Sequence, residues 1–190
     1  MKENKTQKKI QISIRAKILV GMVVCTLIVA NLSGWFLMNR AKTMLLEQCK
    51  QNAGSSAKIA AQRIDGDLLE QLQAGDEGSA DYEEILSQLQ EFLCGDEIKY
   101  IYTMRMNGDT LEFIVDADTE EGAAIGEAYE IYDEIAEAFD GNVTVDSEMT
   151  SDEWGDFYSA FAPVYNSAGD IVGIVGVDCS VTEIRLQQSA

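Results

Sequence analysis

One run of the sequence constrains what this chain can fold into more than any other. It covers 22 residues, from Ile18 to Asn39, without a charged side chain, and Lys17 and Arg40 bound it. A helix rises about 1.5 Å per residue, so the run matches the roughly 30 Å thickness of a bilayer's hydrocarbon core. The core helix of a soluble protein is the alternative, but such a helix rarely stays uncharged over so many turns. We therefore predict a transmembrane helix over residues 18–39.

The charges on the two sides of this run differ in sign. Residues 1–17 carry six basic side chains and one acidic one, a net charge of +5, whereas residues 40–190 carry eight and 32, a net charge of −24. Basic flanks stay in the cytoplasm, so we expect a cytoplasmic basic tail over residues 1–17, one pass through the cell (inner) membrane and an extracytoplasmic remainder. A cleaved signal peptide is the alternative. Its apolar region is normally about 7–15 residues long, so we favour a retained signal anchor.

The part of the chain beyond the apolar run is strongly acidic. From Ile64 onward there are 31 acidic residues and three basic ones, Lys99, Arg105 and Arg185. Such a surface repels nucleic acids and anionic lipid head groups, so we expect neither as a partner. The sequence contains no histidine, which excludes histidine-based catalysis and histidine metal ligands.

The cysteines predict neither a disulfide framework nor a metal site. Cys25 lies in the apolar run, and Cys49, Cys94 and Cys179 are scattered outside it without CxxC spacing. Three is also an odd number. Whether these three cysteines are oxidised stays open.

Helical periodicity continues past the apolar run. Apolar and small residues recur at steps of three and four from Leu45 to Leu68, and no proline interrupts the path to about Leu72. This stripe predicts an amphipathic spine helix over residues 40–73 that continues the transmembrane span. A loop over Gly75–Ala80 then leads to a second helix, capped by Asp81 and ended by Gly95.

The pattern then changes to strands. The pair Asn107-Gly108 between two β-rich runs predicts a hairpin, and the turn at residues 166–169 predicts another. A short helix is predicted over Tyr129–Phe139. The order indicates an α+β domain over residues 74–188, with a five-stranded, mainly antiparallel sheet. The predicted strands are Lys99–Met106, Thr110–Asp116, Asn142–Ser147, Phe157–Tyr165 and Asp170–Cys179.

Three segments resemble a known family. They read YIYTMRMNGDTLEFIVDAD from Tyr100, GEAY over residues 126–129, and WGDFYSAFAPVYNSAGDIVGIVGVD over residues 154–178. In order and spacing they resemble the Cache family of extracytoplasmic sensor domains, in its single-module form. The resemblance implies a PAS-like sheet with strand order 2-1-5-4-3 behind a long N-terminal helix, and dimers that form in parallel through that helix.

The resemblance also implies a function. Such domains belong to bacterial chemoreceptors, sensor histidine kinases and cyclic-dinucleotide enzymes, and they bind small metabolites, often amino acids or carboxylates. Those receptors continue into a second span and a cytoplasmic output module, whereas this sequence stops at Ala190. We expect either a fragment of a receptor or a protein without its own output. The alternative function is an anchored interaction or dimerisation module that binds no ligand.

In the family the ligand lies on the outer face of the sheet. The matching positions here are rich in aromatic residues, namely Tyr100, Tyr102, Tyr129, Tyr132, Trp154, Phe157, Tyr158 and Phe161. Aromatic walls desolvate a small ligand, and tyrosine hydroxyls and an indole N–H orient it. Asp178 matches the position of an acid that holds the ligand's ammonium in amino-acid-binding relatives, although it could instead cap a following helix. The predicted ligand-binding residues are Tyr102, Arg105, Tyr129, Trp154, Tyr158, Phe161 and Asp178. Ordinary core packing is the alternative role for Trp154 and Tyr158.

Arg105 and Asp178 predict different ligands. A guanidinium grips a carboxylate bidentately, so a site centred on Arg105 predicts a simple carboxylate, whereas one centred on Asp178 predicts an amine-bearing ligand. Arg105 could equally pair with a neighbouring acid. Strand alternation places Tyr102 and Arg105 on opposite faces, so one pocket should not contain both.

Other chemistries are poorly supported by the sequence. Asp116, Asp118, Glu120 and Glu127 fit part of an EF-hand frame, but Glu121 stands where the frame needs glycine, so we predict no metal site. Whether the acidic loop over residues 116–127 binds calcium stays open. No nucleophile turn or phosphate loop is present. We expect no enzyme activity and no cofactor.

Overall fold

The computed structural model describes residues 13–94, 98–118, 120, 122–152 and 155–180. Contacts divide the chain into two units, one ending at Met44 and the other beginning at Leu45. Helix α1, Ile14–Arg63, supplies the first unit and enters the second. Among the described residues, α1 is the one helix that is long and apolar enough to cross a membrane. Its most apolar stretch of 18 residues is wholly exposed.

In the second unit α1 buries a stripe of small residues. Cys49, Ala53, Ala57 and Ala60 are at most 5% exposed. They belong to the predicted apolar stripe, which the structure confirms on this part of the helix. Small side chains let the helix backbone approach the sheet closely. A Cβ added at Gly54, for example, would lie 2.9 Å from Cγ2 of Val145.

The spine helix is interrupted after Arg63, where a single helix to about Leu72 was expected. Asp65 is extended, and its carboxylate accepts hydrogen bonds from the N–H groups of Asp67 and Leu68 as the cap of α2, Gly66–Gln71. A Cβ at Gly66 would lie 2.3 Å from the carbonyl oxygen of Tyr165. The close approach of the backbone at Tyr165 and Asn166 therefore requires glycine there.

The second predicted helix is α3, Ala80–Gln90, and it is followed by a 3-10 turn over Glu91–Cys94. Its cap is Ser79 rather than Asp81, because the Ser79 side chain accepts from the Tyr82 N–H. Asp81 lies instead in the first turn of the helix.

The sheet is antiparallel throughout its described strands. Its order is β3-β2-β1-β7-β6-β4, with β5 paired to β6. The predicted order 2-1-5-4-3 is confirmed as β2-β1-β7-β6-β4, and β3 and β5 are additions. With only two and three residues, these two are too short to show a periodic pattern. The strands are β1 Ile98–Asn107, β2 Thr110–Asp116, β3 Ala128–Tyr129, β4 Thr144–Val145, β5 Thr150–Asp152, β6 Gly155–Tyr165 and β7 Ile171–Ser180.

The two faces of the sheet carry different cores. On the face that packs against α1, α2 and α3, here called the helix face, lie residues such as Ile101, Ala160 and Val177. On the opposite or outer face, Tyr102 and Phe161 pack with α4, Asp133–Phe139. Side chains alternate along each strand, so neighbouring residues serve different cores.

A disulfide ties α1 to the sheet. Cys49 in α1 is bonded to Cys179 in β7, although 130 positions separate them in the sequence. Cys25 in the apolar run is a free thiol. The sequence left the oxidation of Cys49 and Cys179 open, because no local spacing marks so distant a pair.

Candidate ligand-binding site

A glycine in β7 makes room for the central tyrosine of the outer face. Gly176 pairs with Tyr102 of β1 on one side and with Phe161 of β6 on the other. A Cβ at Gly176 would lie only 2.2 Å from Cε2 of Tyr102, so the tyrosine ring occupies the space that a side chain would fill. Tyr102 can lie flat along β7 only because position 176 is glycine.

The ring of Tyr102 directs its hydroxyl to Asp178. That hydroxyl donates a hydrogen bond to Oδ1 of Asp178, with a donor–acceptor distance of 3.2 Å. Burial raises the pKa of Tyr102 well above its ordinary value, and the Asp178 charge raises it further. Tyr102 is therefore a neutral, fixed donor beside a carboxylate.

These two residues line a cavity of about 370 Å³ on the outer face. Its walls combine five aromatic rings with four carboxylates. The rings support one another edge-to-face, with centroid distances of 5.3 Å for Tyr102–Phe113 and 5.5 Å for both Phe113–Tyr129 and Tyr100–Phe157. The lining residues are Tyr100, Tyr102, Phe113, Asp116, Asp118, Ala123, Glu127, Ala128, Tyr129, Phe157 and Asp178.

The acidic loop after β2 forms one wall of the cavity. Asp116 organises it, because its Oδ1 accepts the Asp118 N–H at 2.9 Å and its Oδ2 accepts the Ala123 N–H at 3.0 Å. Burial raises the pKa of Asp116, and these two hydrogen bonds oppose that rise. The residue that would begin an EF-hand frame thus holds the loop's own backbone. Among the described residues, no group of three or more carboxylates or cysteines is arranged to hold a metal ion.

A further carboxylate lies on the outer face and was not predicted. The N–H of Ser159 donates to Oδ2 of Asp146 at 3.2 Å, and Ser159 is itself the β6 partner of Asp178. Asp146 is 5% exposed, and its Oδ1 has no hydrogen-bond partner among the described residues. Burial raises the pKa of Asp146. The pKa of Tyr132 is also raised, first by burial and then by charges that include those of Asp146 and Asp178.

Three of the seven predicted residues line the cavity, namely Tyr102, Tyr129 and Asp178. Phe161 lies on the same face but is fully buried, 5.8 Å from Tyr132 between ring centroids, and is absent from the lining. Trp154 lies outside the described residues. The ligand-binding roles of these five residues stay predictions.

Tyr158 lies on the helix face of β6. Its ring is covered by Lys50 of α1, whose Nζ is 4.2 Å from the ring centroid, and it packs against the core between sheet and helices. The residue that reaches the cavity is the neighbouring Phe157. Phe157 is one of the aromatic positions that match the family's ligand site. Alternation from Phe161 along β6 favours it over Tyr158, because residues four apart in a strand share a face.

Arg105 also lies apart from the cavity, as alternation predicted. Its Nε is 2.9 Å from Oε1 of Glu112, and its Nη1 donates to the Leu72 carbonyl oxygen at 2.7 Å. It borders an open groove of about 660 Å³ with Glu70, Asn107 and other polar residues. The structure therefore separates Arg105 from Tyr102 and Asp178.

Comparisons with known proteins bear on the fold. No protein-family model and no curated protein sequence matches the chain. The structure is similar to the ligand-binding domain of the Campylobacter jejuni chemoreceptor Tlp3 in complex with 4-methylisoleucine. The identity is 12%, the match covers 76% of this chain and 56% of that one, and the TM-score is 0.52. For the periplasmic sensory domain of the C. jejuni chemoreceptor Tlp1 the identity is 13%, the match covers 77% of this chain and 59% of that one, and the TM-score is 0.49.

This chain thus spans less than two thirds of the length of either chemoreceptor domain. At 12% identity the similarity to Tlp3 concerns the fold. It confirms the predicted fold, a long N-terminal helix packed on a mainly antiparallel sheet.

Proposed function

We propose that this chain carries an extracytoplasmic sensor domain, anchored in the membrane by α1, that binds a small metabolite in the outer-face cavity and has no catalytic role. The observation that carries the proposal is the hydrogen-bonded pair of Tyr102 and Asp178 in the wall of a cavity of about 370 Å³. Ligand sites typically measure about 300–1,000 Å³ and combine apolar walls with a few fixed polar groups. The shared fold with a chemoreceptor ligand-binding domain supports the same role.

Two observations support an extracytoplasmic location for the domain. The positive charge lies before the apolar run and the negative charge after it. In addition, Cys49 and Cys179 are joined, and disulfides persist mainly in oxidising compartments outside the cytoplasm. The proposed arrangement is an N-terminus inside and a domain outside the inner membrane of a bacterium.

The disulfide also suggests how binding reaches the helix. Asp178 contributes to the cavity and its neighbour Cys179 is bonded to Cys49 of α1. A ligand that shifts Asp178 therefore pulls on α1 through the Asp178–Cys179 peptide and the Cys179–Cys49 disulfide. The ligand changes the population of two helix settings by no more than its difference in affinity for them. A parallel homodimer through the spine helix, in a chemoreceptor, histidine kinase or cyclic-dinucleotide enzyme, would carry the change across the membrane.

Thermal unfolding of the full chain in lipid nanodiscs tests the proposal. The panel contains amino acids, small carboxylates and amines. A ligand at a hundred times its dissociation constant adds about 2.7 kcal/mol to the unfolding free energy. We expect one class to raise the midpoint, and Asp178→Asn to remove the rise.

Asp109→Asn is the matched control, because Asp109 lies in the exposed β1–β2 turn away from the lining residues. It should leave the ligand response unchanged. If no compound raises the midpoint but the midpoint rises with protein concentration, the interaction module replaces the sensor as the best function.

A further inference from the structure

We infer that the cavity selects a small organic cation without a carboxylate, an alkylamine or a quaternary ammonium compound, over the corresponding amino acid. The inference rests on the proposed function, because it specifies the ligand class of the same cavity.

The charges of the cavity wall are the first argument. Asp116, Asp118, Glu127 and Asp178 contribute four carboxylates, and the described lining residues include no lysine or arginine. An amino acid would bring its own carboxylate close to these groups, where like charges repel more strongly than in water. An amine brings only the charge that the wall complements.

The aromatic walls are the second argument. The negative faces of aromatic rings attract cations at centroid distances up to about 6 Å, which is how proteins recognise quaternary ammonium groups. Five rings border this cavity. Their edge-to-face contacts fix their orientation before a ligand arrives, so little side-chain freedom is lost on binding.

Asp146 provides a third and independent argument. Its Oδ1 is buried without a hydrogen-bond partner among the described residues, an arrangement that costs free energy unless a donor is supplied. It lies on the outer face beside Ser159, the strand partner of Asp178. Asp146 does not line the cavity, so it contributes a further acidic group to the same face of the sheet without contacting the ligand.

Two basic residues in the described part of the domain have partners away from the cavity. Arg105 is paired with Glu112, and Lys50 donates to the Ser147 carbonyl oxygen over the ring of Tyr158. Lys99 contacts a lining ring from outside the lining, with Nζ 5.4 Å from the centroid of Tyr100. Lys99 is therefore the residue to test as a carboxylate partner.

Matched compounds test the inference on the full chain in nanodiscs by titration calorimetry. The pairs are 3-methylbutylamine with leucine and choline with glycine betaine, and isovalerate supplies the carboxylate half alone. We expect at least one cation to bind about tenfold or more tightly than its zwitterionic partner, and isovalerate not to bind.

Two variants assign the binding to the cavity. Asp178→Asn should weaken cation binding about tenfold or more. Glu127→Gln, at an exposed lining position, should weaken it by a smaller factor. Its amide oxygen can still accept the Ala124 N–H, which Oε2 of Glu127 accepts at 3.3 Å. Asp109→Asn should change nothing. The Glu127 variant keeps the test decisive if Asp178→Asn fails to fold.

Three results would overturn the inference. Tighter binding of leucine or betaine than of the matched cation would leave the sensor standing but reject the ligand class. Isovalerate binding that Lys99→Gln abolishes would assign a carboxylate ligand. If neither cation binds, the inference is rejected. The broader metabolite panel tests the proposed function separately.

Discussion

Gly176 lies directly beneath the ring of Tyr102, and a Cβ at position 176 would come within 2.2 Å of that ring. We therefore expect Gly176→Ala to displace Tyr102, break its hydrogen bond to Asp178 and lower the unfolding free energy by about 1–3 kcal/mol. Ligand binding should weaken in parallel. Denaturant unfolding of the full chain checks the first effect. Gly34→Ala is the control, because nothing lies within 4 Å of a Cβ there. Equal stability of the two variants would show that the Tyr102 ring can adopt another position without loss of stability.

Phe157 and Tyr158 are neighbours in β6, and their side chains lie on opposite faces of the sheet. Phe157 lines the cavity, whereas Tyr158 packs on the helix face under Lys50. Phe157→Ala should weaken ligand binding strongly. Tyr158→Ala should lower stability by about 3 kcal/mol or more but leave the dissociation constant unchanged. Calorimetric titration of the folded variants separates the two effects, and a loss of affinity in the Tyr158 variant would contradict the assignment of faces.

Arg105 is expected to stabilise the fold and not to bind the ligand. Its removal leaves Glu112, whose side chain is 8% exposed, without its ionic partner. Because Arg105 itself is partly exposed, we expect Arg105→Ala to cost about 2–3 kcal/mol, somewhat less than the loss of a fully buried pair. The exposed pair of Arg63 and Glu91 is the control, and Arg63→Ala should cost about 1 kcal/mol or less. A loss of ligand affinity in the Arg105 variant would contradict this assignment.

The disulfide should stabilise the domain substantially. Cys49 and Cys179 close a loop of 130 residues, so its loss should cost about 2–5 kcal/mol. We expect Cys179→Ala, or reduction of the parent chain, to lower the unfolding midpoint by similar amounts. Cys25→Ala changes the free thiol and should have no such effect. A midpoint insensitive to reductant would show that the bond does not form.

The burial of Asp146 predicts a pH dependence. Its pKa is raised in the folded state, so the folded state holds this proton more tightly than the unfolded one. Stability is therefore lost as the pH rises from the unfolded pKa, about 3.9, through the raised folded value. Asp146→Asn removes this contribution, so the variant should gain stability relative to the parent between pH 4 and pH 7. Unfolding at several pH values measures the difference, and a constant difference would refute the prediction.

Local patterns in the sequence carried much of the fold. The Asn107-Gly108 pair predicted the β1–β2 hairpin, where Gly108 has a φ of +64°. The apolar stripe of α1 predicted which face of the helix is buried. Features set by distant contacts could not be derived in this way. Tyr165 approaches Gly66 just after the break of the spine at Asp65, and the disulfide joins Cys49 to Cys179; only the completed sheet brings these residues together.

The site followed the same division. Tyr102, Tyr129, Phe157 and Asp178 could be predicted from their family positions, and strand alternation from Phe161 distinguishes Phe157 from Tyr158. Asp146 could not, because one buried carboxylate looks like any other in so acidic a sequence. Its burial arises from the pairing of its backbone N–H with the Ser159 carbonyl oxygen, a contact between distant segments.

The alanine stripe of α1 has a mechanical consequence. Side chains that end at Cβ form low ridges and interlock weakly with the sheet, whereas the bond at Cys49 fixes one point. A helix held in this way turns about its fixed point more easily than it slides along its axis. We therefore expect ligand binding to rotate α1 about Cys49. Spin labels on α1 would report distance changes to the sheet that grow from Gln51 to Gln62, whereas a piston would displace both equally.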